Sequence, residues 1–352
     1  MLFRSLILVN ATPLSWYQSI IKILTTLSPL PKDFSVSCNV VLCFIILFLF
    51  SSCCLLGCVY AYNNSDVGSK LNEFNFAVAG DFGCGDEAKK TIEAMVIKKP
   101  EVVLALGDLA YKKKPDCWFN IISPLENISN FKISFGEHDV SHGNVTYNQY
   151  LKHFNLTKPY YSFDYKNVHF IAMATPKNTL IPYNDTSDQY QFIKRDLMKA
   201  SKNKNIDWII VNSFRPFYSS NSTHPGLDKL QDLYHPLFDK YHVDLILQAH
   251  NHNYQRTYPL SYNFTKQYTP IITDKNTESY NNIENGQIFI TVGTGGAEFY
   301  NFTGQAPYVV EQLLLHGFLN VDVTDNGSKL SLTFYENTGM ARDHITISKT
   351  KR

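Results

Sequence analysis

The chain has 352 residues, of which 44% are hydrophobic and 14% aromatic, enough apolar material to bury the core of one large or two ordinary domains. Its formal charge is +1, with 32 Lys and Arg against 31 Asp and Glu, which offers no electrostatic case for binding nucleic acid. Gly and Pro are present in ordinary amounts and no repeat recurs at a fixed period, so a globular fold is expected rather than a fibre or solenoid.

The first elements differ from the rest. No charged residue occurs from Phe34 to Ser65, and Val40 to Ala61 is almost wholly apolar, long enough to cross hydrocarbon about 30 Å thick. Arg4, Lys22 and Lys32 precede it against Asp33, so the positive-inside rule places the N-terminus in the cytoplasm. The expected organisation is a short cytoplasmic tail over 1–37, a membrane-spanning helix or signal anchor over 38–62, a linker over 63–72 and a domain over 73–352. The protein is then a single-pass membrane protein with its domain outside, or secreted if cleavage occurs near Val59-Tyr60-Ala61. Asn-x-Ser/Thr sequons at Asn63, Asn127, Asn144, Asn155, Asn184, Asn221, Asn263, Asn301 and Asn326 agree with export and a glycoprotein. Beyond the apolar run the remaining cysteines are Cys84 and Cys117, which form either a disulfide or two free thiols.

From residue 74 strand and helix signals alternate. Apolar runs over 74–79, 102–106, 131–135, 206–211 and 243–248 read as buried strands, and 85–98 as a helix with Ala88, Ile92, Met95 and Val96 on one side. Residues 260–286 read as a long surface loop. The runs 287–292, 317–323, 329–335 and 344–348 read as successive antiparallel strands, with turns at Asn326-Gly327 and Thr338-Gly339.

Polar blocks follow the first five runs: Gly80-Asp81-Phe82-Gly83, Gly107-Asp108-Leu109-Ala110-Tyr111, Gly136-Glu137-His138-Asp139, Val211-Asn212-Ser213-Phe214 and Ala249-His250-Asn251-His252. Strand C-termini are where open α/β sheets gather their sites. The order and residue types resemble the calcineurin-like metallophosphoesterases, and Tyr111 points to the purple acid phosphatase branch. Thr291-Val292-Gly293-Thr294-Gly295-Gly296 and Gly317-Phe318 resemble the C-terminal half of the same catalytic domains, so the resemblance covers about 73–350. It implies an α/β (α+β) fold, a four-layer αββα sandwich of two mixed sheets flanked by helices.

The resemblance also implies a dinuclear metal site, because two cations about 3.5–4 Å apart neutralise the charge that spreads in phosphoryl transfer. Asp81, Asp108, Tyr111 and His252 would hold the first ion, and a phenolate suits Fe(III). Asp108 would bridge to a second ion, Fe(II), Mn, Mg or Zn, bound weakly by Glu137 and His250. Two ligand positions depart from the family pattern, Glu137 replacing Asn and Phe214 replacing a metal-binding His, and Ala249 stands in place of the usual Gly. A bidentate Glu137 would compensate in oxygen donors, and His224 is a further candidate. His138 would protonate the leaving group, with Asp139 orienting it. Arg215 and Arg256 are candidate phosphate contacts or, more ordinarily, solvated surface charges.

The function implied is an exported, membrane-anchored phosphomonoesterase in which a metal-bound hydroxide attacks phosphorus in line. Its partners would be a phosphorylated ester substrate and, through residues 38–62, the membrane. A phosphodiesterase on the same metal core, or a degenerate non-catalytic domain kept as a surface binding module, stands as the alternative.

Overall fold

The computed structural model describes residues 72–176, 181–266, 268–282 and 286–350. The expected cytoplasmic tail, the apolar run 38–62, the cleavage site and Asn63 lie outside the described residues. Among the described residues no helix is long and apolar enough to cross a membrane.

The first half of the chain builds strand–helix units: β1 (Phe74–Ala79), α1 (Asp86–Lys98), β2 (Val102–Ala105), α2 (Asp116–Glu126) and β3 (Asn130–Ile133), then α3 (Glu137–Ser141) and α4 (Asn144–His153). A hairpin of β4 (Tyr161–Tyr165) and β5 (Val168–Ala172) leads into α5 (Asp188–Ala200), β6 (Trp208–Asn212), α6 (Asp228–Tyr241), β7 (Leu245–Gln248) and β8 (Tyr254–Thr257). There follow β9 (Leu260–Ser261), β10 (Ile271–Ile272), β11 (Ser279–Asn281), β12 (Ile288–Val292), β13 (Val309–Leu313), β14 (Gly317–Thr324), β15 (Lys329–Glu336) and β16 (Ala341–Ser348).

Among the described residues the strands form two seven-stranded sheets, ordered β11-β16-β15-β14-β1-β2-β3 and β13-β8-β12-β7-β6-β5-β4. Both are mixed: β1, β2 and β3 run parallel, as do β5, β6, β7 and β12. The inner faces meet through Phe76 of β1 against Phe170 of β5, centroids 5.3 Å apart, and Tyr254 of β8 stacked on Phe334 of β15 at 4.3 Å. On the outer face of the second sheet, Ile193 and Leu197 of α5 and Leu230, Tyr234 and Phe238 of α6 bury against Ile171, Ile209, Val211 and Ile246. Ile92 and Met95 of α1 and Trp118 and Ile122 of α2 join the other core with β1 and β2. The mixed α/β fold with two large sheets is the one expected.

Two expectations are corrected. The run 287–292 is not the first strand of the C-terminal antiparallel set: β12 inserts into the second sheet, parallel to β7, and only β14, β15 and β16 form the antiparallel meander. An apolar run carries no mark of which sheet it joins. Residues 260–286 are also less open than a surface loop, since β9 pairs with β10 and β11 extends the first sheet beside β16.

His169 of β5 is nearly buried, with Asp164 on one ring nitrogen and Asp196, at 2.9 Å, on the other. Burial disfavours its cation, but the bonds to Asp196 and Asp164 outweigh that and raise its pKa overall. A raised folded-state pKa gives stability that is complete below the unfolded value and lost as pH rises through the folded one. The melting temperature should therefore fall as pH is raised above about 6.5, and His169→Gln should flatten that part of the profile.

Candidate metal centre

Each block stands where a strand gives out. Asp81 follows β1, Asp108 and Tyr111 follow β2, His138 lies in α3 after β3, Phe214 follows β6, and His250 and His252 follow β7. Asp81, Asp108, Tyr111 and His250 all have left-handed backbones, with φ of 56°, 48°, 54° and 69°. A non-glycine residue there costs of order 1–3 kcal/mol unless its surroundings hold it, and hydrogen bonds supply that hold. The Phe82 and Gly83 amides donate to the Asp108 and Leu109 carbonyls at 3.1 and 3.0 Å. Ala249, where the family pattern has Gly, is not among the positive-φ residues, so its methyl group is unstrained.

Three predicted ligands converge. The Tyr111 hydroxyl is 3.1 Å from Asp81 Oδ1 and 2.9 Å from His252 Nε2, and His252 Nε2 is 3.5 Å from Asp81 Oδ1. Donor atoms about 2.1 Å from one ion in octahedral geometry lie about 3 Å apart, so this spacing fits one cation. His252 Nδ1 lies 2.6 Å from the Glu298 carbonyl, a bond it can make only as donor, which leaves Nε2 its lone pair. Asp81 Oδ2 accepts from the His250 amide at 2.8 Å, and Asp108 Oδ1 from the His138 amide at 2.8 Å.

The electrostatics favour a cation as well. Burial, offset in part by the His250 amide and Tyr111, pushes Asp81 up to about 7. Burial and then the charges of Asp81 and Asp139 push Asp108 to about 9. Burial, with Asp81 and Asp108 beside it, drives the Tyr111 phenol far above its ordinary range. Three buried acids that cannot ionise together in isolation are what a polyvalent cation would release. Two glycines make room. A Cβ on Gly136 would sit 2.2 Å from Asp108 Oδ1, and one on Gly293, in the Thr291–Gly296 run, 2.7 Å from Asp81 Oδ2.

The donors expected for a second ion are otherwise engaged. Phe214 is fully buried with its ring 4.7 Å from that of His250. Glu137 is ion-paired with Arg215, so the arginine is neither a surface charge nor free of protein partners. His224 does fold back, held by Asn251 through its backbone amide and carbonyl, but its ring stacks face to face on His250 at 3.7 Å. Among the described residues no three His, Cys, Asp or Glu side chains are grouped closely enough to hold an ion, so the first position depends on Tyr111. His250 and His252 diverge, because β7 has ended and His250 turns the chain: His250 meets Phe214 and His224, His252 meets Tyr111 and Tyr300.

Asp139 has a different task from the one expected. Its carboxylate accepts the Leu109 amide at 2.9 Å and the Gly136 amide at 2.8 Å, so it locks the two ligand loops together instead of orienting His138. The His138 ring lies 4.5 Å from that of Tyr111. Burial and His142 lower its pKa, against a smaller opposing effect of Glu137. Arg256 is also reassigned: it is buried in β8 and paired with Asp343 at 2.6 Å.

Sequence reasoning missed Thr175 and Tyr300. The Thr175 hydroxyl accepts the Phe214 and Arg215 amides at 3.0 and 2.9 Å and so sets the turn after β6. Tyr300 stacks on His252 at 3.9 Å. Neither belongs to a motif, and no signal in the chain marks them. Beside Tyr111 and His252 opens a cavity of about 520 Å³, bordered by Phe82, Lys112, Glu298 and Tyr300. Cys84, on the same border, is disulfide-bonded to Cys117, which decides between the two states left open above.

The calcineurin-like phosphoesterase family profile matches residues 74–254. The chain is 28% identical over 241 residues to Purple acid phosphatase 21 of Arabidopsis thaliana, covering 63% of this chain and 49% of that protein. It is 30% identical over 201 residues to Purple acid phosphatase 18 (52% and 44%) and 26% identical over 288 residues to Probable inactive purple acid phosphatase 1 (73% and 44%), both of the same plant. The chain thus spans about half the length of the curated relatives it matches. In fold it is similar to the purple acid phosphatase PPD1 of yellow lupin, Lupinus luteus, with TM-score 0.64, 23% identity and coverage of 79% of this chain and 54% of that one. It is also similar to GAP50, the anchor in the inner membrane complex of Plasmodium, with TM-score 0.60, 18% identity and coverage of 80% and 90%. The profile match over half of the chain, the phosphatase relatives and the ligand loops agree: the chain belongs to the calcineurin-like phosphoesterase family, in its purple acid phosphatase branch.

Proposed function

We propose that this domain is a metal-dependent hydrolase of phosphoric monoesters. The observation that carries the reading is the convergence of Asp81, Tyr111 and His252 at mutual distances of 2.9–3.5 Å, with His138 beside them. A bound cation would neutralise charge on the phosphoryl oxygens and supply a nucleophile at moderate pH. Asp81, Asp108, Tyr111 and His252 would hold it, and the Tyr111 phenol, which ionises only beside a strong charge, favours Fe(III). His138 holds the proton for the leaving oxygen, while Asp139 keeps the two ligand loops in register and Tyr300 fixes the plane of His252.

The domain is proposed to work outside the cytoplasm, held by residues 38–62 or released by cleavage. The Cys84–Cys117 disulfide and the exposed sequon residues Asn127, Asn144, Asn155, Asn184, Asn221 and Asn301 support that compartment. A second reading, a non-catalytic binding or anchoring domain, draws on Phe214 and the Glu137–Arg215 pair, and GAP50 gives an example of the fold in a protein described as an anchor. Turnover of p-nitrophenyl phosphate with added Fe, Mn or Zn separates the two. Wild type should turn over, and Asp108→Asn should lose at least a hundredfold with its metal. No turnover with any of these ions would sink the hydrolase reading.

A further inference from the structure

The pair of cations that the family pattern implies does not fit this chain at the second position, and another cation lies there. Arg215 is held at three points. Its amide donates to Thr175 Oγ1 at 2.9 Å, its carbonyl accepts from Ser213 Oγ at 2.8 Å, and its guanidinium pairs with Glu137. Its side chain is 14% exposed. Glu137 and Phe214 are the two ligand positions at which the chain departs from the family pattern, and Arg215 is the ion-pair partner of the first and the sequence neighbour of the second.

Two buried polar atoms at this place, Arg215 Nε and His250 Nε2, have no hydrogen-bond partner among the described residues. Buried polar groups left this way generally wait for a ligand or water. A guanidinium Nε is always a donor. An imidazole Nε2 donates as well when its ring carries the proton there. What satisfies two such donors is an oxyanion.

We infer that the Arg215 guanidinium, anchored on Glu137, is the second fixed cation of this site, so that the domain binds one metal ion per chain and grips a phosphoryl group between that ion and Arg215. The ligand class is a tetrahedral oxyanion such as a phosphomonoester. The Glu137–Arg215 pair is neutral overall, so it orients the anion by directed hydrogen bonds more than by net charge. The inference rests on the phosphoryl-site reading but not on turnover.

The test is metal stoichiometry with phosphate binding. The full chain is loaded with excess Fe together with Zn or Mn, desalted and analysed for metal, and inorganic phosphate is then titrated calorimetrically. One ion per chain is expected, with Arg215→Met keeping that ion and binding phosphate roughly tenfold to a hundredfold more weakly. Two ions per chain in wild type, or none, overturns the proposal, as does unchanged phosphate affinity in Arg215→Met. Should that variant fail to fold, the wild-type stoichiometry still decides. One ion and Arg215-dependent phosphate binding without turnover would sink the hydrolase reading alone, and two ions with turnover would sink this inference alone.

Discussion

His138→Ala is expected to lower turnover of an alkyl phosphate by about 10²–10⁴-fold, the range for loss of a positioned general acid, with metal content unchanged. The imidazole carries no structural load: the residue is exposed, and what holds it in place is the backbone amide that donates to Asp108. Truncating the side chain therefore removes the proton donor and leaves the loop. The leaving group supplies an internal control. p-Nitrophenolate departs readily without a proton, so the loss on p-nitrophenyl phosphate should be much smaller than on the alkyl ester. Equal losses on both would show that His138 positions the substrate and does not protonate it.

The same residue sets the direction of the pH profile. Burial and His142 disfavour the imidazolium, so the protonated, donating form dominates only below the ordinary histidine range. Turnover of the alkyl ester should therefore decline as pH rises toward about 6.5, with most of the fall complete before neutrality. In His138→Ala that decline should disappear from the residual rate, which a pH series from 5 to 8 would show.

Much of the site was legible because its residues obey local rules. An apolar run that stops at a short polar block is a strand ending in a polar loop, and the five such stops, three of them at Gly-Asp or Gly-Glu-His, lie around one centre. What was not legible is who pairs with whom. Arg215 and Glu137 are 78 residues apart, and no periodicity links them. Asp139 reads as the natural partner of the adjacent His138, yet two backbone amides claim its carboxylate. β4 was invisible because each of its side chains is at least partly exposed. β8 was invisible for the opposite reason: Tyr254-Gln255-Arg256-Thr257 is polar in sequence and wholly buried in the fold, with Asp343 answering Tyr254 and Arg256, Ser219 and Ser220 answering Gln255, and Phe289 answering Thr257. Hydrophobic patterning detects strands that bury apolar faces, and it is blind to one that buries hydrogen bonds.

That strand carries the largest stability effect expected outside the core. Arg256 of β8 donates from Nε to Asp343 Oδ2 at 2.6 Å and from Nη2 to Oδ1 at 2.9 Å, and the Tyr254 hydroxyl donates to the same carboxylate at 2.7 Å. Asp343 belongs to β16, so the cluster ties one sheet to the other across the sandwich, with both charged side chains nearly buried. Asp343→Ala leaves a guanidinium and a phenol without their acceptor where water hardly reaches. It should cost about 3–5 kcal/mol, a large part of a typical domain stability of about 5–15 kcal/mol, read from the midpoint of urea unfolding. Arg256→Met should cost less, since the Asp343 carboxylate it strands keeps the Tyr254 hydroxyl and can take up a proton, whereas a guanidinium cannot lose its charge. The double change Arg256→Met with Asp343→Leu should recover most of the loss, because apolar groups of similar volume replace a buried ion pair at little net cost. A loss below about 1 kcal/mol in Asp343→Ala, the value of an exposed pair, would mean that the two sheets are held together by their apolar faces alone.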